Sequence, residues 1–140
     1  MIVLDTTVVS ELMRPSPNLA VERWVAARPA ASLFFSAVSE TELRYGVAIL
    51  AAGRRRDALA SAVEVILRDD FAGRVLPFDS AAARAYAEIA AHCRAAGRPI
   101  AQADAQIAAI ARSRGMALAT RNVRDFEEMG IKLLDPWADA

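Results

Sequence analysis

The chain has 140 residues, 55% of them hydrophobic and 24% charged, a balance that suits a protein with a buried core and not a disordered one. Lys plus Arg and Asp plus Glu both number 17, so no global basic field marks a nucleic-acid partner; any such contact must run through a local patch. The single cysteine, Cys93, excludes an internal disulfide and a Cys-based zinc cluster, and the lone His92 excludes a histidine-rich metal centre. Both lie in an Ala-rich helical stretch, where packing or surface roles suffice. There is no leader-like segment with a small-residue cleavage site and no apolar run near the ~18 residues of a membrane span, so no membrane partner and a cytoplasmic location are expected.

In chain order, Ile2 to Leu4 reads as a short strand buried on both faces and ending at Asp5. Val8 to Met13 reads as a helix stopped by Arg14-Pro15, and Ser16-Pro17 opens a second helix running to about Ala27. Leu33 to Phe35 is a second strand. Ser39 to Ala52 is a helix closed by Gly53, and Arg54 to Phe71 is another, with Leu59, Val63, Ile66 and Leu67 on one face. Val75-Leu76 is a brief strand. Helices follow from Ala81 to Ala96, stopped by Gly97, and from Ile100 to Arg114, stopped by Gly115. Ala117 to Ala119 is a fourth strand, Val123 to Met129 a short helix, and Lys132 to Leu134 a last edge strand. Short apolar strands alternating with helices predict one α/β domain over residues 1–140, with three α/β/α layers and a mainly parallel sheet of four or five strands.

In such sheets ligands bind at the carboxyl ends of the strands, where strand order reverses. Several polar residues fall there. Each has a local explanation. Asp5 follows the first strand and could accept N–H bonds from the next turn. Ser39-Glu40-Thr41-Glu42 has the form of a capping box, which would occupy Glu42. Asp104 lies in the first turns of its helix, where an acid complements the dipole. Asn122 could be an N-cap and Asp125 a first-turn acid. Together, however, they place several carboxylates on one edge of the sheet, where two unit charges 4 Å apart repel by roughly 4 kcal/mol at an effective dielectric of ~20. Protonating one acid or capturing a divalent cation relieves this, and all-oxygen ligation favours Mg²⁺ or Mn²⁺. Such an ion can activate water and polarise a phosphoryl oxygen, the requirement of phosphodiester hydrolysis. The nearest basic residues are Arg44, Arg98, Arg121 and Arg124, candidates to hold phosphates or simply a solvated charged surface. Gly46, inside a helix, suggests close helix packing.

Met1-Ile2-Val3-Leu4-Asp5-Thr6, Glu42-Leu43-Arg44-Tyr45-Gly46, Ala103-Asp104 with Ile107-Ala108, and Ala119-Thr120-Arg121-Asn122 resemble, in order and spacing, the four signature segments of PIN-domain toxins. The likeness is strongest to the VapC/FitB branch and extends to Asp135-Pro136-Trp137. It implies a Mg²⁺- or Mn²⁺-dependent endoribonuclease, the toxin of a toxin–antitoxin module. By resemblance Asp5, Glu42 and Asp104 form the acidic metal-binding triad, with Asp5 and Asp104 as direct ligands. Thr120 lines the same pocket, and Asn122 or Asp125 completes the catalytic set. Two departures stand out: Thr7 where relatives commonly carry Asn, which implies an altered hydrogen bond beside Asp5, and Asn122 where some carry a fourth acid. The resemblance further implies a homodimer, a VapB/FitA-like antitoxin, transfer or ribosomal RNA as substrate, and DNA met only through the antitoxin. Leu12, Met13, Trp24 and Tyr45 are candidates for the antitoxin's groove, with core packing as the other reading of Leu12 and Trp24.

A phosphatase with Asp5 as nucleophile would need Asp-x-Asp after the first strand, but position 7 is Thr. Nucleotide-binding folds need clustered glycines, and the six here are isolated. The remaining alternative is a weak or inactive PIN-like module that binds RNA or protein.

Overall fold

The computed structural model describes residues 1–139. Strand β1 (Ile2–Leu4) turns successive side chains to opposite faces, and both faces are covered. Val3 faces a layer made by α5 (Ser80–Ala95) and α6 (Gln102–Ser113), while Leu4 faces one made by α1 (Thr6–Leu12), α2 (Leu19–Ala26), α3 (Ala37–Ala48) and α4 (Arg54–Val65). Strands β2 (Leu33–Ser36), β3 (Val75–Leu76), β4 (Ala117–Ala119) and β5 (Leu133–Leu134) complete a parallel sheet in the order β3-β2-β1-β4-β5. The expected three-layer α/β/α architecture is the one observed, with five strands and β5 at an edge.

The two cores divide by this alternation. Leu118, Ile107, Ile110, Ile89 and Phe126 join Val3 on one side; Val8, Val21, Trp24, Phe35, Leu43, Val63 and Phe71 join Leu4 on the other. Burial of each large side chain is worth about 1.5–3 kcal/mol. Phe35 and Phe71 stack at 5.3 Å between ring centroids. Buried Ala105, Ala108, Ala109 and Ala111 carry only a Cβ, so α6 packs closely on more than one side. Helices α5 and α6 each end on a left-handed glycine: Gly97 (φ 68) with Arg98 N–H returning to the Cys93 carbonyl, and Gly115 (φ 65) with Met116 N–H returning to that of Ala111. Cys93 is buried in the first core and His92 is exposed.

Several element starts differ from expectation. Helix α2 begins at Leu19, not at Ser16-Pro17, because Asn18 Oδ1 accepts the N–H groups of Ala20 (2.9 Å) and Val21 (3.3 Å). The buried Glu11 carboxylate holds the preceding loop by accepting from Asn18 N–H (3.1 Å) and Arg14 (3.4 Å). Helix α3 starts at Ala37 and stops at Ala48, four residues short of the expected end. The stretch expected as one helix to Phe71 widens into a π turn over Ile66–Asp70, and Val123–Phe126 is a single 3-10 turn.

Gly46 does not mediate close helix packing: a Cβ built there meets no atom within 4 Å. The Gly46→Ala variant is therefore expected to gain about 0.5–1 kcal/mol in the isolated protein, as lost helix entropy is recovered without a clash. Urea unfolding monitored by circular dichroism checks this, and a lower midpoint for the variant would contradict it.

Candidate functional site

The order of the sheet reverses at β1: the chain moves outward through β2 and β3, then returns to place β4 on the other side. Leu4 pairs with Ala119, so the next residues, Asp5 and Thr120, leave the sheet side by side. Asp5 N–H donates to the Ala119 carbonyl (2.8 Å), fixing the start of its turn. The Asp5 side chain is only 4% exposed, and one oxygen, Oδ2, accepts two hydroxyls: Thr7 at 2.9 Å and the fully buried Thr120 at 2.9 Å. The other oxygen, Oδ1, accepts no hydrogen bond among the described residues yet is not sealed from solvent. One oxygen of the carboxylate is held, and the other is unclaimed.

Glu42 reaches the same region from α3. The expected capping box does not form: Ser36, three residues earlier than Ser39, caps the helix by accepting Ser39 N–H (3.0 Å). Freed from the helix terminus, the Glu42 carboxylate accepts the Thr6 hydroxyl at 2.6 Å, which ties α3 to the first turn of α1. Helix α6 runs back toward the start of β4, so its N-terminus, with half-buried Asp104 in the first turn, lies at the carboxyl edge of the sheet. Asp125 comes from the exposed 3-10 turn after β4. Asn122 does not cap that turn with its side chain; its N–H donates to Thr120 Oγ1 (3.1 Å).

Three of these acids act electrostatically on the fourth, Asp104. Burial, then the carboxylates of Asp5, Asp125 and Glu42, raise Asp104 from 3.8 to about 6. The dipole of α6 acts the other way, but at 0.3–1 kcal/mol for a helix terminus it is outweighed. The seven ion pairs among the described residues use other acids, so none of these four is neutralised by an arginine or lysine.

The four candidate arginines differ. Arg44 is bound by Glu40 (2.7 Å) and Glu64, which together raise its pKa further. Arg98 bonds Glu128 (2.8 Å) and the Glu127 and Arg124 carbonyls, bracing the segment that carries Asp125. Arg121 lies over the Trp137 ring at 5.3 Å. Arg124 lines a cavity with Asp104, Asp125 and Ile100 and forms no ion pair among the described residues.

This constellation sits on a chain whose residues 2–132 match the PIN domain family. The chain belongs to the PIN-domain family. Within it, the likeness is to the VapC and FitB toxins. The chain is 42% identical over 140 residues to VapC ribonuclease Y4jK of Sinorhizobium fredii, covering all of both chains. It is 39% identical over 139 residues to toxin FitB of Neisseria gonorrhoeae, covering 99% of this chain and 100% of that one. A solved structure of FitAB bound to an IR36 DNA fragment superposes with a TM-score of 0.92 at 38% identity, covering 100% of this chain and 98% of that chain.

The donor chemistry of this PIN site fits a hard divalent cation. Its oxygens come from carboxylates, and Asp5 Oδ1 is unclaimed. Among the described residues no three acids are gathered tightly enough to cage an ion by themselves. A set this sparse suits a cation that keeps several waters and takes only one or two carboxylates. Asp5 and Asp104 are the residues that would hold it, with Glu42 and Asp125 within electrostatic reach. Sequence reasoning gave Thr6 no role; the altered hydrogen bond it expected from Thr7 beside Asp5 is the one to Oδ2. A hydroxyl one or two residues after a strand-terminal acid was the available signal.

Asp104 also sets a pH dependence. Its folded-state proton is held more tightly than in the unfolded chain, so the group costs nothing below 3.8, where both states are protonated. Stability falls as pH rises from there through about 6, and the full cost persists above. In EDTA, Asp104→Asn is expected to raise the melting temperature by a few degrees at about pH 7.5 and by almost nothing at about pH 4. Equal shifts at the two pH values, read by thermal unfolding, would refute this origin.

Proposed function

We propose that residues 1–140 form one PIN domain that hydrolyses RNA phosphodiester bonds with Mg²⁺ or Mn²⁺, as the toxin of a VapBC-type toxin–antitoxin pair. The observation that carries this reading is the Asp5 carboxylate, anchored through one oxygen and unclaimed at the other, within electrostatic range of Asp104. Neither of these acids, nor Glu42 or Asp125, is paired to a basic side chain among the described residues. The bound ion supplies Lewis acidity and charge neutralisation at the scissile phosphate. Asp5 and Asp104 bind it. Glu42, oriented by Thr6, positions the attacking water and takes its proton. Thr120 acts through Asp5, since its hydroxyl proton is committed there, and Asp125 or Asn122 completes the outer shell through water. Arg124 and Arg121 are the cations best placed for RNA phosphates, whereas Arg44 and Arg98 are held by acids.

The relative named a ribonuclease supports RNA as the substrate, and transfer or ribosomal RNA is the class expected. The solved FitAB assembly on DNA supports an antitoxin partner through which DNA is met. A groove of about 710 Å³ between α1, α3 and α4 suits an amphipathic segment of that partner. Met13, Leu43, Val47, Leu50 and Leu59 line it, and Thr6 and Glu42 stand at its margin. Of the residues first considered for this role, Trp24 is core at 3% exposure, Leu12 packs against that core, and Tyr45 points outward. A homodimer acting in the cytoplasm completes the reading.

Incubating antitoxin-free protein with pooled transfer and ribosomal RNA is expected to yield discrete fragments with Mn²⁺. None should form with EDTA, or with Asp5→Asn or Asp104→Asn, both of which stay folded. Full cleavage by either folded variant would remove its aspartate from the site. Absence of both cleavage and Mn²⁺ binding would favour a binding-only module.

A further inference from the structure

Thr7 contributes more to this site than helix initiation. It is the second residue of α1, and its hydroxyl turns back to donate to Asp5 Oδ2 at 2.9 Å. The same hydroxyl accepts Arg121 N–H at 3.3 Å from the segment after β4. Thr120 repeats the arrangement from the neighbouring strand: it donates to Asp5 Oδ2 and accepts Asn122 N–H at 3.1 Å. In each case a backbone donor occupies a lone pair of the hydroxyl, which leaves its proton directed at the carboxylate. A carboxylate oxygen offers about two acceptor sites, and both on Oδ2 are taken.

We infer that Thr7, together with Thr120, holds Asp5 as a one-oxygen ligand and thereby biases the site toward a small octahedral cation over a large one. This rests on the metal-site reading above. Bidentate chelation, which Ca²⁺ commonly uses at 2.3–2.6 Å, needs both carboxylate oxygens, whereas Mg²⁺ takes single oxygens in strict octahedral geometry. Because the carboxylate torsion is broad, an Asp5 with one donor fewer can swing Oδ2 toward the ion. Thr7 is thus a positioning residue, acting on the cation through Asp5.

The test is calorimetric binding of Mn²⁺ and, separately, Ca²⁺ to the full-length unsubstituted chain, Thr7→Val, Thr7→Ala and Thr7→Ser, with circular dichroism to verify folding. Val keeps the branched shape and removes the donor, and Ala removes the donor should Val disturb packing. Thr7→Val and Thr7→Ala are expected to weaken Mn²⁺ binding about 10-fold, the low end for loss of a group that orients a metal ligand. They should weaken Ca²⁺ less, so the Mn²⁺ to Ca²⁺ preference narrows, while Thr7→Ser retains both affinity and preference. A donor-less, folded variant with an unchanged preference would overturn the inference, as would a Thr7→Ser variant that behaves like Thr7→Val. In both of those outcomes the unsubstituted chain still binds Mn²⁺ and the metal site stands. If the unsubstituted chain binds no Mn²⁺, the metal-site reading fails and takes the inference with it.

Discussion

The candidate site depends on one pairing, the parallel register that sets Leu4 opposite Ala119. That register makes Asp5 and Thr120 neighbours, although 115 residues separate them in the chain. A slip of one residue would carry a carboxylate or a buried hydroxyl into the apolar sheet, where an unpaired polar group costs several kcal/mol. The cores on both faces hold the register from within, through Val3 and Leu118 on one side and Leu4 and Ala119 on the other. The polar ends hold it from outside. Chemistry and sheet register therefore constrain each other at a single step of the ladder.

The same edge concentrates unfavourable charge. Burial and three neighbouring carboxylates push the Asp104 carboxyl up to about 6, while Arg44 and Arg98 bind Glu40, Glu64 and Glu128 instead. A chain selected for stability alone would pair one of those arginines with Asp104 or dispense with the acid. Strain of this kind, confined to the strand ends of an otherwise well-packed fold, is the trade between stability and function that active sites commonly show. It also explains why the acids must be judged as a set. Each alone has a structural excuse, and only their convergence does not.

Strand positions and helix faces were legible because apolar periodicity reports burial directly, and β1, with Asp5 at its end, needed nothing more. Helix starts were less so. Ser36 and Ser39 are both credible caps for α3, and only the preceding strand, running through Ser36, decides between them. Choosing Ser39 made Glu42 look like a capping-box acid, when its partner, Thr6, lies 36 residues away. Hydroxyl directions at Thr6 and Thr120 were illegible for the same reason, since each points at a tertiary partner that local pattern does not encode. Gly46 was read as a packing residue because a helical glycine costs stability; in fact it lines the open groove beside α3.

The first turn of α1 links these features. Consecutive residues on a helix diverge in direction, so Thr6 and Thr7 reach different partners. Thr6 bonds Glu42 at the margin of the apolar groove, and Thr7 bonds Asp5 and the backbone after β4. Two adjacent hydroxyls thus join three segments that follow β1, β2 and β4. The lining of the groove and the hydrogen bonds that hold Asp5 therefore meet in a single turn of helix.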